Sequence, residues 1–222
     1  QETLERLVPG RVSVERKTWP ADSEVVDTVN YSVAFGRQHG QIVLGAHYDA
    51  VPNSPGAIDN GASVTQLVMA AAALHEAVKN GQPEPDCTFC FFDHEEHFGS
   101  PVMGSAVWVE TRRDAIPACA IIYDVTGNGR HYVSDTDKTG LLGDLATRST
   151  PPSDNINFDR AGIPATLVCA LPENEMADTS PQTWAVIHRP EDTTRLIEDE
   201  TLEAGKHLAL EAIDRFMRTR QS

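Results

Sequence analysis

The chain has 222 residues, with 18 Lys and Arg against 33 Asp and Glu, so its formal net charge is −15 and its sequence pI is about 4.8. A nucleic-acid-binding surface and an anionic membrane surface both require basic residues, so this balance argues against both partners. The length and a hydrophobic content of 40% predict one domain covering residues 1–222 with a sizeable core.

The N-terminal residues and the cysteines give a weak indication of the cellular compartment. The first residues, Gln1 and Glu2, do not begin a signal peptide, and no run approaches the roughly 20 apolar residues of a membrane span. We expect the four cysteines to be buried thiols rather than disulfides or a zinc knuckle: Cys87, Cys90, Cys119 and Cys169. These features favour the cytoplasm, and a secreted or periplasmic mature domain remains an alternative because an initiator Met is missing.

Strand-like and helix-like segments alternate along the chain. Alternating or continuous apolar runs predict strands at residues 12–19, 25–35, 41–46, 88–92, 119–123 and 165–170. Helical spacing predicts helices at residues 62–79, 105–113 and 202–217. This order predicts an α/β sandwich with a largely parallel sheet, in which ligands bind at the carboxyl ends of the strands.

Carboxylate and imidazole side chains follow several predicted strands. Each has a common structural explanation when taken alone; Asp59, for example, precedes a helix as an N-cap does. Their joint placement at one sheet edge favours a metal centre instead, because zinc accepts His nitrogen and carboxylate oxygen. Two such ions about 3.5–4 Å apart can polarise a carbonyl and activate a water. The candidate residues are His47, Asp49, Asp59, Glu95, Glu96, Asp124 and His188.

Five ordered motifs carry a specific resemblance. They are His47-Tyr48-Asp49, the Gly-Ala-Ile-Asp-Asn-Gly-Ala-Ser run at 56–63, Asp93-His94-Glu95-Glu96, Asp124-Val125-Thr126-Gly127 and His188-Arg189-Pro190-Glu191-Asp192-Thr193. Together they resemble the M28 family of zinc metallopeptidases, the co-catalytic aminopeptidases. The resemblance implies a three-layer α/β/α sandwich of the phosphorylase/hydrolase-like type, a mixed, largely parallel central sheet, and a peptide substrate cleaved at its N-terminal bond.

The resemblance also implies a role for each candidate residue. Asp59 would bridge two Zn²⁺ ions, His47 and Asp124 would complete one site, and Glu96 and His188 would complete the other. Glu95 would act as the general base and acid. Asp49 would lie behind His47 and fix its tautomer, so that Glu95 and Asp49 form the catalytic pair.

The chain departs from the family pattern around the expected pocket. Asn155 stands where the family commonly has His, which puts a substrate contact from that position in doubt. The segment after Glu96 is longer and contains Pro101. We expect the loops 97–103, 134–155 and 171–187 to set side-chain preference. His94 and His97 are three apart rather than four, which does not fit the zincin motif, and we expect them not to be ligands.

Two other functions remain open. A glutaminyl-peptide cyclotransferase, a single-zinc relative, would retain Asp59, Glu96 and His188. These cyclases usually have Trp directly before the last His, where this chain has Ile187, although Trp184 is near. The second alternative is a metal-free binding pseudoenzyme, which the intact ligand positions disfavour. The sequence does not indicate an oligomeric state.

Overall fold

Eight strands form one mixed sheet in the computed structural model, which describes residues 1–20, 25–143 and 145–220. Six of them lie where the sequence predicts strands, with ends that differ by one residue at most, and two short strands are additional. The strands are β1 (Val12–Pro20), β2 (Val25–Phe35), β3 (Ile42–His47), β4 (Cys87–Phe92), β5 (Cys119–Tyr123), β6 (His131–Ser134), β7 (Ala146–Thr147) and β8 (Ala165–Leu171).

The centre of the sheet is parallel, antiparallel pairs lie on both sides of it, and the edge strand β7 pairs in parallel with β6. The strand order is β1-β2-β4-β3-β5-β8-β6-β7. β3 pairs in parallel with β4 and β5, and β5 pairs in parallel with β8. β2 runs antiparallel to both of its neighbours, and β6 runs antiparallel to β8. The mixed, largely parallel sheet is therefore confirmed, and the carboxyl ends of β3, β4, β5 and β8 meet at one edge.

Helices cover both faces of this sheet. They are α1 (Glu2–Leu7), α2 (Ala62–Lys79), α3 (Gly104–Thr111), α4 (Asn155–Arg160), α5 (Gln182–Val186) and α6 (Asp199–Thr219). α2 and α6 pack on each other and share one apolar cluster with the sheet, whereas α3 and α4 contribute to the cluster on the other face. The three-layer α/β/α sandwich is confirmed.

The central strands are apolar throughout because both of their faces are covered. On β3, Ile42 and Leu44 pack into the cluster with α2 and α6, whereas Val43 packs into the opposite cluster. On the same strand, a Cβ on Gly45 would lie 2.5 Å from the Phe92 ring, so the packing of this ring over β3 requires a glycine. Each fully buried Leu, Ile, Val or Phe stabilises the fold by roughly 1.5–3 kcal/mol.

The elements that the sequence did not predict are all short. β6, β7, α1, α4 and α5 have two to six residues each. Such lengths hold too few repeats of a strand or helix period to stand out from loop composition. Helix α3 also ends at Thr111, two residues before the predicted end.

The structure bears on the state of the cysteines and on the membrane-spanning capacity of the helices. Cys87, Cys90, Cys119 and Cys169 are all buried and unpaired, which confirms that they are core thiols. Across the ranges that the structure describes, no helix combines the length and the apolar character needed to cross a membrane.

Asp86 stabilises the sheet edge opposite to the strand carboxyl ends. It directly precedes β4 and is 5% exposed. Its carboxylate accepts hydrogen bonds from the Arg37 backbone N–H at 2.8 Å and from Arg37 Nε and Nη2 at 3.0 and 2.8 Å. Burial alone would raise the pKa of Asp86, but the hydrogen bonds and charge of Arg37 hold that pKa below its usual value.

We predict that Asp86 makes stability depend on pH at the acid end. A carboxyl group whose pKa is lower in the folded state stabilises the fold above its unfolded pKa of about 3.9, and this contribution is lost as the pH falls through the lower folded-state value. Urea unfolding of metal-free wild type and Asp86→Asn should therefore differ most near neutral pH and converge in acid. A difference that stays constant down to about pH 3 would contradict this.

Candidate metal centre

The edge formed by the carboxyl ends of the parallel strands collects the candidate residues. His47 is the last residue of β3, Glu95 and Glu96 follow β4, and Asp124 directly follows β5. Asp59 lies in the irregular turn Ala57–Gly61 before α2, and His188 follows α5. The resemblance to the M28 family assigns five residues to metal binding. Each of them is within ion-pair distance of at least one of the other four.

Asp59 lies between the two imidazoles. Its Oδ1 is 3.1 Å from His47 Nε2, and its Oδ2 is 3.0 Å from His188 Nε2. Each carboxylate oxygen therefore faces a different histidine, which is the arrangement that a bridging ligand needs.

Each imidazole has a second carboxylate beside it. Asp124 Oδ1 is 3.4 Å from His47 Nε2, and Glu96 Oε2 is 3.2 Å from His188 Nε2. His47, Asp59 and Glu96 each offer one ligand atom within 4.8 Å of the others. The structure thus places Asp124 beside His47 and Glu96 beside His188, and it also brings Glu96 within ligand distance of His47 and Asp59.

The donor atoms of this cluster fit a zinc centre. His47 Nε2, Glu96 Oε1 and Asp124 Oδ1 are buried and have no hydrogen-bond partner in the part of the chain that the structure describes. Buried polar atoms normally have partners, so the unpartnered His47 Nε2 and Asp124 Oδ1, which lie 3.4 Å apart, suit a site that a bound ion would complete. Imidazole nitrogen and carboxylate oxygen in low number suit Zn²⁺.

The protein environment raises the pKa of some carboxyl groups in this cluster and lowers that of another. Burial, followed by the charge of Asp124, raises the pKa of Glu95 well above its usual value, and burial, followed by the charge of Asp59, raises that of Glu96 to about 7. Burial would also raise the pKa of Asp59, but the hydrogen bonds of His188 and His47 bring it well below the usual value. Nearby cations favour the charged carboxylate and would lower all three.

Asp49 does more than lie behind His47. Its Oδ1 is 3.3 Å from His47 Nδ1, as expected of a residue that orients the ring, although the Asp49 carbonyl oxygen is slightly nearer at 3.1 Å. The same carboxylate accepts the backbone N–H groups of Glu95 and Glu96 at 3.0 and 3.1 Å. Asp49 therefore fixes His47 and the backbone of the two glutamates together, which sequence reasoning missed.

The turn that carries Asp59 is attached to neighbouring segments on two sides. Asn60 Nδ2 donates to the carbonyl oxygen of Tyr123 at 2.9 Å, which connects the turn to the end of β5. On the other side, the carboxylate of Asp192 accepts the backbone N–H groups of Ile58 and Asp59. In the sequence Asp192 is visible only as part of the last motif, which predicts no role for it.

Backbone conformations at the site are unusual. Val125, directly after Asp124, has a φ of 52°, and His188 has a φ of 63°. Such left-handed conformations cost non-glycine residues roughly 1–3 kcal/mol and persist where the surroundings impose them. The Asp124 N–H donates to the Val168 carbonyl at 3.0 Å, and the Ala170 N–H donates to the Val125 carbonyl at 3.1 Å, so β8 holds this segment in place.

A pocket of about 350 Å³ opens over the cluster. The three loops expected to set preference contribute Phe98, Pro151, Pro152 and Ile187 to its lining, while Asp144 lies outside the described residues. None of the lining residues is Lys or Arg. Asn155 is not among them either; its side-chain oxygen accepts the Ser153 N–H at 3.0 Å.

A further buried carboxyl group was not expected from the sequence. Asp154 is fully buried, and Ser105 Oγ donates to its Oδ1 while Asn157 Nδ2 donates to the same Ser105 oxygen at 2.8 Å. Burial raises the pKa of Asp154 above its usual value. The charge of Asp154 is in turn one of the smaller causes that raise the pKa of Glu95.

His94 and His97 lie away from the pocket lining. His94 Nε2 is 3.1 Å from the Asp27 carbonyl oxygen, and the two imidazole rings meet edge to face with centroids 5.1 Å apart. His94 therefore contacts the backbone of β2, and neither imidazole is among the residues that line the pocket.

The fold and the site together define an α/β protein with a candidate metal centre at the carboxyl ends of its parallel strands. Residues 30–140, half of the chain, match the model of Peptidase family M28, and the chain belongs to this family.

Known proteins similar to this chain include both peptidases and cyclases. Aminopeptidase YwaD of Bacillus subtilis (strain 168) is 28% identical over 200 residues, which cover 79% of this chain and 41% of that protein. The chain thus spans less than half the length of this curated relative.

Two solved structures share the fold. The zinc aminopeptidase BSAP from Bacillus subtilis superposes with a TM-score of 0.67 at 20% identity, covering 86% of this chain and 50% of that one. An Acidobacteriales bacterium glutaminyl cyclase superposes with a TM-score of 0.73 at 20% identity, covering 98% and 84%.

Proposed function

We propose that this chain is the catalytic domain of a zinc-dependent aminopeptidase that removes N-terminal residues from peptides. The observation that carries the proposal is the position of Asp59, whose two oxygens face the two imidazoles of His47 and His188 at 3.1 and 3.0 Å. Membership of Peptidase family M28 and the likeness to an aminopeptidase support it.

Two ions would be held by five side chains. His47 and Asp124 would hold one, Glu96 and His188 would hold the other, and Asp59 would contact both. When bound, the zinc ions lower the pKa of a coordinated water and polarise the carbonyl of the bond to be cleaved.

Glu95 would be the residue that moves the proton. Its Oε2 is 3.9 Å from His47 Nε2, and its side chain lines the pocket. The carboxylate would take a proton from the attacking water and donate it to the leaving amine, as a general base and then a general acid. Asp49 would keep Glu95 in place through the Glu95 backbone N–H.

The composition of the pocket lining favours a peptide with a free N-terminus and an apolar first residue. Its lining combines carboxylates with the apolar side chains of Val51, Phe98, Val125 and Ile187, and it has no Lys or Arg. Negative charge attracts a peptide's N-terminal ammonium group, and the apolar walls favour an apolar first side chain.

We predict that Asp59 and Asp124 affect zinc content differently. Asp59→Asn removes a carboxylate that faces both imidazoles, so the purified protein should lose zinc from both positions. Asp124→Asn, the matched control, changes a carboxylate beside one imidazole and should retain zinc at the other. Elemental analysis after dialysis measures both. Wild-type zinc content in Asp59→Asn would refute the bridging role.

We predict that the zinc-loaded protein releases the amine from leucine anilide and that Glu95→Gln strongly slows this reaction. General acid–base catalysis contributes about 10²–10⁴-fold, so kcat should fall by this factor while zinc content stays unchanged. Wild-type kcat in Glu95→Gln would remove Glu95 as the base. Wild-type protein that binds no zinc and stays inactive after zinc is added would favour the binding pseudoenzyme.

A glutaminyl cyclase is the second candidate, because such an enzyme covers the chain almost fully with a TM-score of 0.73. In this chain Ile187 lines the pocket, whereas Trp184 packs against the core cluster next to α3 and α4. His47 and Asp124, 3.4 Å apart, would supply the second half of a two-ion centre, which a single-zinc cyclase does not need. Cyclisation of a Gln-peptide without hydrolysis of leucine anilide would overturn the peptidase proposal.

A further inference from the structure

Asp192 connects two segments that are far apart in sequence. It is fully buried and lies four residues after His188. Its Oδ1 accepts the Ile58 N–H at 2.6 Å, and its Oδ2 accepts the Asp59 N–H at 3.2 Å. Its own carbonyl oxygen accepts the Ala57 N–H at 3.4 Å. Three consecutive backbone donors of the Asp59 turn are thus bound by one residue.

The same residue also closes the turn after His188. The Asp192 N–H donates to the Arg189 carbonyl oxygen at 3.1 Å, so the backbone from His188 to Asp192 is folded back on itself. The side chain of His188 is 51% exposed, and its φ of 63° requires support from its surroundings. Asp192 therefore joins the segment that carries His188 to the segment that carries Asp59.

The two segments that Asp192 connects carry His188 and Asp59, and a metal centre depends on the distance between these two side chains. His188 Nε2 is 3.0 Å from Asp59 Oδ2, although the two residues are brought together by different loops. A carboxylate that binds two backbone N–H groups forms charge-assisted hydrogen bonds, which are short and directional. Small shifts of the Asp59 backbone would turn one of its oxygens away from an imidazole.

We infer that Asp192 is a positioning residue that sets zinc affinity by holding Asp59 and His188 at ligand distance. Asp192 is not among the residues that line the pocket, and it would act through the backbone of Ala57, Ile58 and Asp59. This inference rests on the zinc centre proposed above.

Asp192→Asn is the variant that tests it. The amide is nearly the same size but offers one acceptor oxygen, so one of the two N–H groups would face an NH₂ group instead. The control is Asp86→Asn, because Asp86 is a buried carboxylate that also accepts a backbone N–H, from Arg37, at the opposite sheet edge. Zinc dissociation constants from chelator competition, and unfolding of the metal-free proteins, are measured for both.

We expect Asp192→Asn to weaken zinc binding by about 10–100-fold, as changes to outer-shell partners do. Asp86→Asn should lower the unfolding midpoint of the metal-free protein and leave the zinc dissociation constant unchanged. An unchanged constant in Asp192→Asn, or an equal loss in both variants, would overturn the inference. Wild type that binds no zinc would overturn the proposed centre as well, whereas zinc binding without peptidase activity would contradict only the proposed reaction.

Discussion

The main physical constraint on this structure is that several buried carboxylates lie close together at one edge of the sheet. Asp59 Oδ1 and Asp124 Oδ1 both lie within 3.4 Å of the same imidazole nitrogen, with Glu95 at 3.9 Å. Two unit charges 4 Å apart interact by about 4 kcal/mol at an effective dielectric of 20, so neighbouring carboxylates disfavour each other's charged forms. The pocket lining contains no Lys or Arg to offset them. Divalent cations are the natural counter-charge for such a cluster.

Rigid strands make this crowding possible. β3, β4 and β5 are buried on both faces, and their backbone groups are paired in parallel ladders, so the residues at their carboxyl ends have little freedom to move apart. The other participants come from turns, and the structure holds them by hydrogen bonds to the same strand ends. Asn60 binds the last carbonyl of β5, and Asp49 binds the backbone that follows β4. The strand ends therefore fix the positions of the side chains that they carry, and hydrogen bonds to those ends fix the turns at Asp49 and Asn60.

Much of this could be predicted from the sequence because its signals are local. Continuous apolar runs indicate buried parallel strands, and the residues directly after them, such as His47 and Asp124, are then placed by topology alone. Asp192 and the second role of Asp49 could not be predicted in this way. Both act by accepting backbone N–H groups, which any residue type supplies, across 133 or 134 residues in one case and 46 or 47 in the other. No side-chain pattern records such contacts.

The 33 acidic residues can be separated by the partners of their oxygens rather than by burial alone. On α6, Glu211 and Asp214 face Arg215 and Arg218 in solvent, where ion pairs add little stability and the remaining charge mainly affects solubility. Asp86 is buried, yet protein donors satisfy its carboxylate. Asp124 differs from both groups, because its Oδ1 is buried, has no hydrogen bond within the described part of the chain and lies 3.4 Å from His47 Nε2. Glu96 likewise combines a buried, unpartnered Oε1 with an Oε2 that lies 3.2 Å from His188 Nε2. Leaving a buried carboxylate oxygen without a donor is costly, and a bound cation would offset that cost, so this environment distinguishes two of the proposed zinc ligands from the solvated acids of the chain.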